Sequence, residues 1–302
     1  MPDAFPRGKI VWHDLMTTDT RAAISFYGRL IGWGTMPFDK DPSYLMWTNH
    51  GEPLGGVVPL SEESRRMGTP PSWLMYVSVP SVEGTVQQAR SMGARVLVGP
   101  DDIPDGGRFA IVADPQGAVF AIYSRVQPAP DLEAEARVGE FSWHELATND
   151  WQAAWRFYEQ LFGWVKTEAM DMGPAGIYQM FGRQGRQLGG MYNRPPDIPA
   201  PNWLPYAKVK NADEIAAKAQ KLGAKVVQGP MEVPNGNRIA ILIDPQGASF
   251  ALHSSAPAAV KAKAKKKKPV AKKKAAAMKK PGRTKAAKKK SAKKKTARRR
   301  RR

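Results

Sequence analysis

Apolar and polar positions alternate in blocks along this chain, and each block predicts one element. Ile10–Met16 (IVWHDLM) is a short run of β type. Ala22, Ala23, Phe26, Tyr27 and Leu30 then recur at the spacing of one helix face, with Thr18 or Asp19 placed to cap the helix and Gly32 to end it. Tyr44–Thr48 and Leu54–Leu60 read as strands, and the Gly55–Gly56 pair inside the second marks a bulge or a close backbone approach. WLMYVSV (73–79) is a strand, Val82–Met92 a helix ended by Gly93, and ARVLV, RFAIVAD and AVFAIYS are three further strands. The last two are joined by Asp114-Pro115-Gln116-Gly117, whose Asp at i, Pro at i+1 and Gly at i+3 suit a type I turn. The order is β-α-β-β-β, twice.

The whole pattern then returns. IVWHDLMTTDTRAAISFYGRLIGW (10–33) is answered by FSWHELATNDWQAAWRFYEQLFGW (141–164), PLGGVV (53–58) by QLGGMY (187–192), and WLMYVSV by WLPYAKV (203–209). MGARVLVGP (92–100) is answered by LGAKVVQGP (222–230), and RFAIVADPQGAVFAIYS (108–124) by RIAILIDPQGASFALHS (238–254). Five blocks in one order make a tandem duplication. The predicted class is α+β: four βαβββ units forming two domains, 8–125 and 138–255, joined by a Pro/Ala/Glu linker at 126–137 and followed by a basic tail, 256–302.

Charge separates the tail from the rest. The chain carries 47 Lys and Arg against 27 Asp and Glu, and 24 of the basic residues fall in 261–302, which has no acidic residue. The net charge of +20 therefore belongs to the tail, and residues 1–260 are mildly acidic. The absence of cysteine excludes disulfides, thiolate metal sites and a cysteine nucleophile. No secretory signal is visible at the start, and no stretch approaches the ~20 apolar residues that span a bilayer. A cytoplasmic location is the expectation, with no membrane partner.

A tandem βαβββ chain with an FY-x-x-(L/I)-(L/I/F)-GW helix end and a DPQGA-x-FA(I/L) strand resembles the vicinal oxygen chelate superfamily of glyoxalases, bleomycin resistance proteins and extradiol dioxygenases. The likeness covers about 250 residues, from Gly8 to Ser255. In metal-using members it implies ligands at three places in each domain: a His or Gln on the first strand, a His on the strand that opens the second half, and a Glu after the DPxG turn. Here those places hold Trp12, Leu74 and Ala121 in the first domain, and Trp143, Leu204 and Ala251 in the second. An indole offers only an N–H donor, and Leu and Ala offer nothing, so neither a metal nor another cofactor is expected.

Strand parity gives the candidate pocket. If position 12 faces it, Asp14 and Met16 do too, whereas His13, Leu15 and Thr17 face the helix layer, where a histidine is a packing residue. The lining is then Trp12, Asp14, Tyr76, Ala121 and Tyr123 in the first domain and Trp143, Glu145, Tyr206, Ala251 and His253 in the second. Aromatic walls around one carboxylate suit a flat or cationic organic molecule. Asp14 and Glu145 are the candidate general bases if the chain is instead a lyase, isomerase or hydroxylase-like enzyme. Either carboxylate can equally serve to satisfy backbone N–H groups. Arg108 and Arg238, at matching places before a strand, are read as partners of structural ion pairs, and Phe26, Tyr27, Phe157 and Tyr158 as core.

The tail has almost no apolar side chain larger than Val or Met and cannot bury enough surface to offset ordering, so disorder is expected. Its Lys/Ala/Pro composition is similar to that of linker-histone tails. Its charge lies in clusters: Lys265, Lys266, Lys267 and Lys268, then Lys272, Lys273 and Lys274. Lys288, Lys289 and Lys290 follow, then Lys293, Lys294 and Lys295, and the run closes on Arg298, Arg299, Arg300, Arg301 and Arg302. Such a run binds phosphate backbones by counterion release without reading sequence. The combined expectation is a metal-independent small-molecule-binding protein held by its tail on DNA or another polyanion, with association with the nucleoid as a consequence. Strand-edge pairing between the two domains would let it act as a monomer.

Overall fold

A computed structural model describes residues 6–128 and 133–256. The tail, with its Lys and Arg clusters and expected disorder, lies outside them, as does part of the expected linker. The first domain runs β1 (Ile10–Thr17), α1 (Thr20–Leu30), β2 (Gly34–Phe38), β3 (Asp41–Asn49), β4 (Glu52–Pro59), α2 (Glu62–Arg66), β5 (Ser72–Ser78), α3 (Val82–Ser91), β6 (Arg95–Ile103), β7 (Gly107–Ala113) and β8 (Val119–Ser124). The second repeats it as β9 (Phe141–Thr148), α4 (Trp151–Phe162), β10 (Val165–Asp171), β11 (Ile177–Arg183), β12 (Arg186–Asn193), β13 (Asn202–Lys208), α5 (Ala212–Lys221), β14 (Lys225–Glu232), β15 (Arg238–Ile243) and β16 (Ser249–Ser254). Each domain is one eight-stranded sheet, ordered β2-β3-β4-β1-β5-β8-β7-β6 and β10-β11-β12-β9-β13-β16-β15-β14.

Local chemistry sets the ends of the elements. Asp19 accepts the Ala22 amide at 2.9 Å and starts α1, and Asp150 does the same for α4 through Gln152 and Ala153. Gly163, in the left-handed region at φ 68°, closes α4. In the Asp-Pro-Gln-Gly turn the Gly117 amide bonds the Asp114 carbonyl at 3.0 Å, while the Asp114 carboxylate accepts the Gln116 and Ala118 amides. The edge strand β2 is exposed along most of its length, so its residues carry no hydrophobic alternation to reveal it.

The two sheets do not pair at their edges; the strand-edge joint expected from the sequence is replaced by a shared helix layer. One core combines Val82, Val86 and Phe120 of the first domain with Tyr158, Phe162, Trp164 and Trp203 of the second. Its counterpart combines Phe26, Tyr27, Trp33 and Trp73 with Ala216, Leu242 and Phe250. Each core thus joins the first helix of one domain and the tryptophan of its central strand, Trp203 or Trp73, to the second half of the other. The repeated sequence motifs supply the polar bonds between them. The Tyr27 hydroxyl donates to Asp244 at 3.0 Å and accepts from the Trp73 indole at 3.1 Å; Tyr158 repeats this with Asp114 and Trp203 at 2.9 and 3.0 Å. Trp33 donates to the Gly139 carbonyl and Trp164 to the Gly8 carbonyl, both at 2.7 Å. Phe26, Tyr27, Phe157 and Tyr158 are core residues, as read, but the core they fill lies between the domains.

Candidate functional site

The helix layer covers one face of each sheet, and the candidate residues stand on the other. Leu15 is in the helix-layer core, while Trp12, Met16, Tyr76, Ala121 and Tyr123 form an outer cluster with Leu74, Phe109, Ile111 and Val119. A register slip between Ile10 and Trp12 sends Val11 to the outer side as well. The second sheet carries the matching cluster of Trp143, Leu204, Tyr206, Ala251, Ile239 and Ile241.

Asp14 lies at the centre of the first outer face and is only 6% exposed. Its Oδ1 accepts the Trp12 indole at 2.9 Å and the Tyr44 hydroxyl at 2.6 Å, and its Oδ2 accepts the Tyr76 hydroxyl at 2.7 Å. Burial pushes the carboxyl above its ordinary range, against the pull of the Tyr44, Tyr76 and Trp12 donors and the Gly56 amide. Glu145 takes the corresponding place in the second domain. Its Oε2 accepts the hydroxyls of Tyr178 at 2.9 Å and Tyr206 at 3.0 Å, and the Trp143 indole donates to the Tyr178 hydroxyl at 2.8 Å. Burial raises this carboxyl too, with Tyr178, Tyr206 and Tyr192 opposing. The phenols move the other way: burial first, then the adjacent carboxylate, push Tyr44, Tyr76, Tyr178 and Tyr206 up, so they stay protonated donors.

Tyr44, Tyr178 and Tyr192 were not found by strand parity. The first two sit twelve residues before Gly56 and Gly190, the second glycines of the repeated Leu-Gly-Gly, so aligning the repeats on that pair would have matched them. The glycines are required by the cluster. A Cβ on Gly56 would lie 2.0 Å from the Tyr44 hydroxyl oxygen, and one on Gly190 would lie 2.1 Å from the Tyr178 ring. Each bare backbone lets a tyrosine lie flat over the sheet and reach the carboxylate.

The remaining predicted residues stand apart from the carboxylates. The Tyr123 hydroxyl donates to the Gly106 carbonyl at 2.5 Å. His253 Nδ1 is 2.8 Å from the Ser142 hydroxyl. Arg108 pairs with Glu83 at 2.6 Å and with Asp102, and Arg238 pairs with Asp213 through two bonds at 2.5 and 2.6 Å. His13 and His144 face the helix layer and meet each other, Nε2 to Nε2 at 2.7 Å, at 5% and 6% exposure. The His144 Nδ1 is 3.2 Å from the Leu188 carbonyl, which can only accept. His144 therefore carries its proton on Nδ1, and His13 must donate from Nε2. Burial depresses both imidazoles, His144 to about 4, and His13 is lowered further by facing His144.

Among the described residues no group of three or more His, Asp and Glu could hold a metal ion. Asp14 and Glu145 are engaged by phenols, the two histidines point to the opposite face, and the family's ligand places hold indole, isobutyl and methyl groups. This donor set does not fit a divalent ion. No helix among the described residues is long and apolar enough to cross a membrane.

The family described as the Glyoxalase/Bleomycin resistance protein/Dioxygenase superfamily matches residues 9–122 and 140–252. The chain is similar to the "Putative glyoxylase CFP32" of Mycobacterium bovis, with 32% identity over 260 residues, 84% of this chain and 97% of the relative. It is also similar to the "Anthracycline biosynthesis protein DauV" of Streptomyces sp. (strain C5), with 28% identity over 265 residues, 82% and 94%. In fold it resembles the Mn(II)-bound glyoxalase from Novosphingobium aromaticivorans, at a TM-score of 0.60 and 15% identity over 84% of each chain. The 2,3-dioxygenase LapB from Pseudomonas sp. KL28 follows at 0.57 and 11%, over 83% and 92%.

Proposed function

The chain belongs to the glyoxalase/bleomycin resistance protein/dioxygenase superfamily, and on that premise we propose that it binds a flat organic molecule on its outer sheet faces without a metal, while its basic tail holds it on DNA or a similar polyanion. The carrying observation is the exchange of donors. Where the family pattern places metal ligands, this chain has Trp12, Leu74 and Ala121, with Trp143, Leu204 and Ala251 in the repeat, and beside them a carboxylate held by phenols. Partly exposed apolar walls with one polar anchor favour aromatic ligands. The relative named for anthracycline biosynthesis agrees with a polycyclic aromatic ligand.

The ligand half of this reading is tested by titrating the full-length protein with 1,4-dihydroxyanthraquinone, a flat phenol, and following quenching of tryptophan fluorescence. Saturable binding that survives EDTA is expected; binding abolished by EDTA and restored by a metal would overturn it. The tail half is tested on immobilised duplex DNA. If about 8–10 phosphates are neutralised, log K falls with log salt at a slope near −7 to −9. Removing residues 261–302 should abolish retention at low salt, and retention without them would refute the tether.

A second reading is favoured by the relative named as a glyoxylase and by the burial-raised carboxyl of Glu145. In it, Asp14 or Glu145 is a general base on the bound molecule. Recovery of the bound molecule chemically altered would favour this reading over binding alone.

A further inference from the structure

The two outer faces are related by duplication, but their carboxylates are not equally available. Asp14 has both oxygens taken: Oδ1 by Trp12 and Tyr44, Oδ2 by Tyr76. It is almost wholly buried. In the second domain both phenols converge on a single oxygen, Oε2 of Glu145, and neither takes Oε1. The Trp143 indole donates to the Tyr178 hydroxyl as the Trp12 indole does to the Tyr44 hydroxyl, at 2.8 and 2.9 Å, but of the two only Trp12 also donates to the carboxylate. Glu145 is half-buried, not sealed, and its extra methylene carries the carboxylate farther from the strand. The remaining partner of this carboxylate is Tyr192, half-exposed on β12, where the first domain has Val58.

We infer that only the second domain is a ligand site, and that Oε1 of Glu145 and the Tyr192 hydroxyl anchor a planar aromatic ligand through an O–H or N–H donor on its ring system. The inference rests on reading the outer faces as ligand sites. A carboxylate oxygen that neither Tyr178 nor Tyr206 takes, in a largely apolar surround, gains a charge-assisted hydrogen bond when a donor arrives. The Tyr192 phenol beside it, whose bond is to Glu145 itself, can accept from a ligand hydroxyl while still donating to the carboxylate, or turn to donate to a ring carbonyl. Asp14 offers less, because each of its oxygens already accepts a side-chain donor and the carboxylate is only 6% exposed. Asp14 holds its strands together; Glu145 keeps an acceptor in reserve. The indole of Trp143 and the side chains of Ile239 and Ile241, all partly exposed, give the ring system its apolar bed.

The test uses the full-length chain, 1,4-dihydroxyanthraquinone as the probe, and visible absorbance to count equivalents. The wild type should bind one equivalent per chain. Glu145→Gln keeps an oxygen for Tyr178 and Tyr206 but replaces the free acceptor with a donor, and should weaken binding at least tenfold. Tyr192→Phe removes one hydroxyl and leaves Glu145 held by Tyr178 and Tyr206, and should weaken binding severalfold with the urea unfolding midpoint within the range of ordinary surface substitutions. Two equal equivalents per chain, or a Tyr192→Phe protein that titrates like the wild type, would overturn the assignment while leaving the outer faces as ligand sites. A wild type that binds no probe at all would overturn the ligand-site reading, and this inference with it.

Discussion

The His13–His144 contact predicts an acid sensitivity whose size follows from its geometry. One imidazole must donate to the other across 2.7 Å, so protonating His144 leaves two N–H groups facing each other between the domains, and protonating His13 leaves a buried charge there with no solvent to take it up. The unfolded chain has no such restriction, and its histidines titrate near 6.5. With the folded value of His144 held at about 4, the unfolded state binds more protons throughout the window between those values. The stability this histidine contributes is complete above the unfolded value and is lost as pH falls. At 1.36 kcal/mol per pH unit and per proton, the full window is worth about 3 kcal/mol, and the fall from pH 7.5 to 5.0 about 2 kcal/mol, for His144 alone. His13, depressed in the same direction, adds to it. Asp14 and Glu145 act with the opposite sign, because their raised values make acid stabilising. The wild-type curve alone would therefore mix the two. The assay is urea unfolding at both pH values of the wild type and the double variant His13→Phe, His144→Phe, which removes both titrating rings and orphans neither. The gap between the two proteins should shift by about 2 kcal/mol or more in favour of the variant at pH 5.0. A gap that does not change with pH would refute the buried neutral pair.

Two further outcomes follow from the packing. Tyr27→Phe leaves the Asp244 carboxylate and the Trp73 indole without their shared buried partner, and should cost about 2–3 kcal/mol in denaturant unfolding; a loss below 0.5 kcal/mol, taking the usual spread of surface substitutions as about that size, would show that the hydroxyl does not tie the domains. Gly56→Ala places a methyl 2.0 Å from the Tyr44 hydroxyl oxygen, so that ring must leave Asp14; a destabilisation of about 1–3 kcal/mol is expected, with a shift in tryptophan emission as Trp12 loses a partner, and unchanged stability and emission would refute the glycine's role.

The sequence by itself determined the duplication, the element order apart from the exposed edge strand β2, the outward side of Trp12 and Asp14 and the side chains standing at the family's ligand places, because each depends on spacing along one strand or on the chemistry of one side chain. Strand parity needs only the alternation of faces, and an indole cannot become a carboxylate in any fold. The pairing of distant residues was legible only in three dimensions. Nothing in the spacing of Tyr27 and Asp244, or of Tyr158 and Asp114, says that each motif finds its partner in the other repeat and not in its own. The same holds for Tyr44 reaching Asp14 over a glycine, and for His13 meeting His144 near the middle of the molecule. Periodicity reports which face a residue occupies; what covers that face is decided by how the helix layers of two copies bury their aromatic side chains together, and that is a property of the assembled pair.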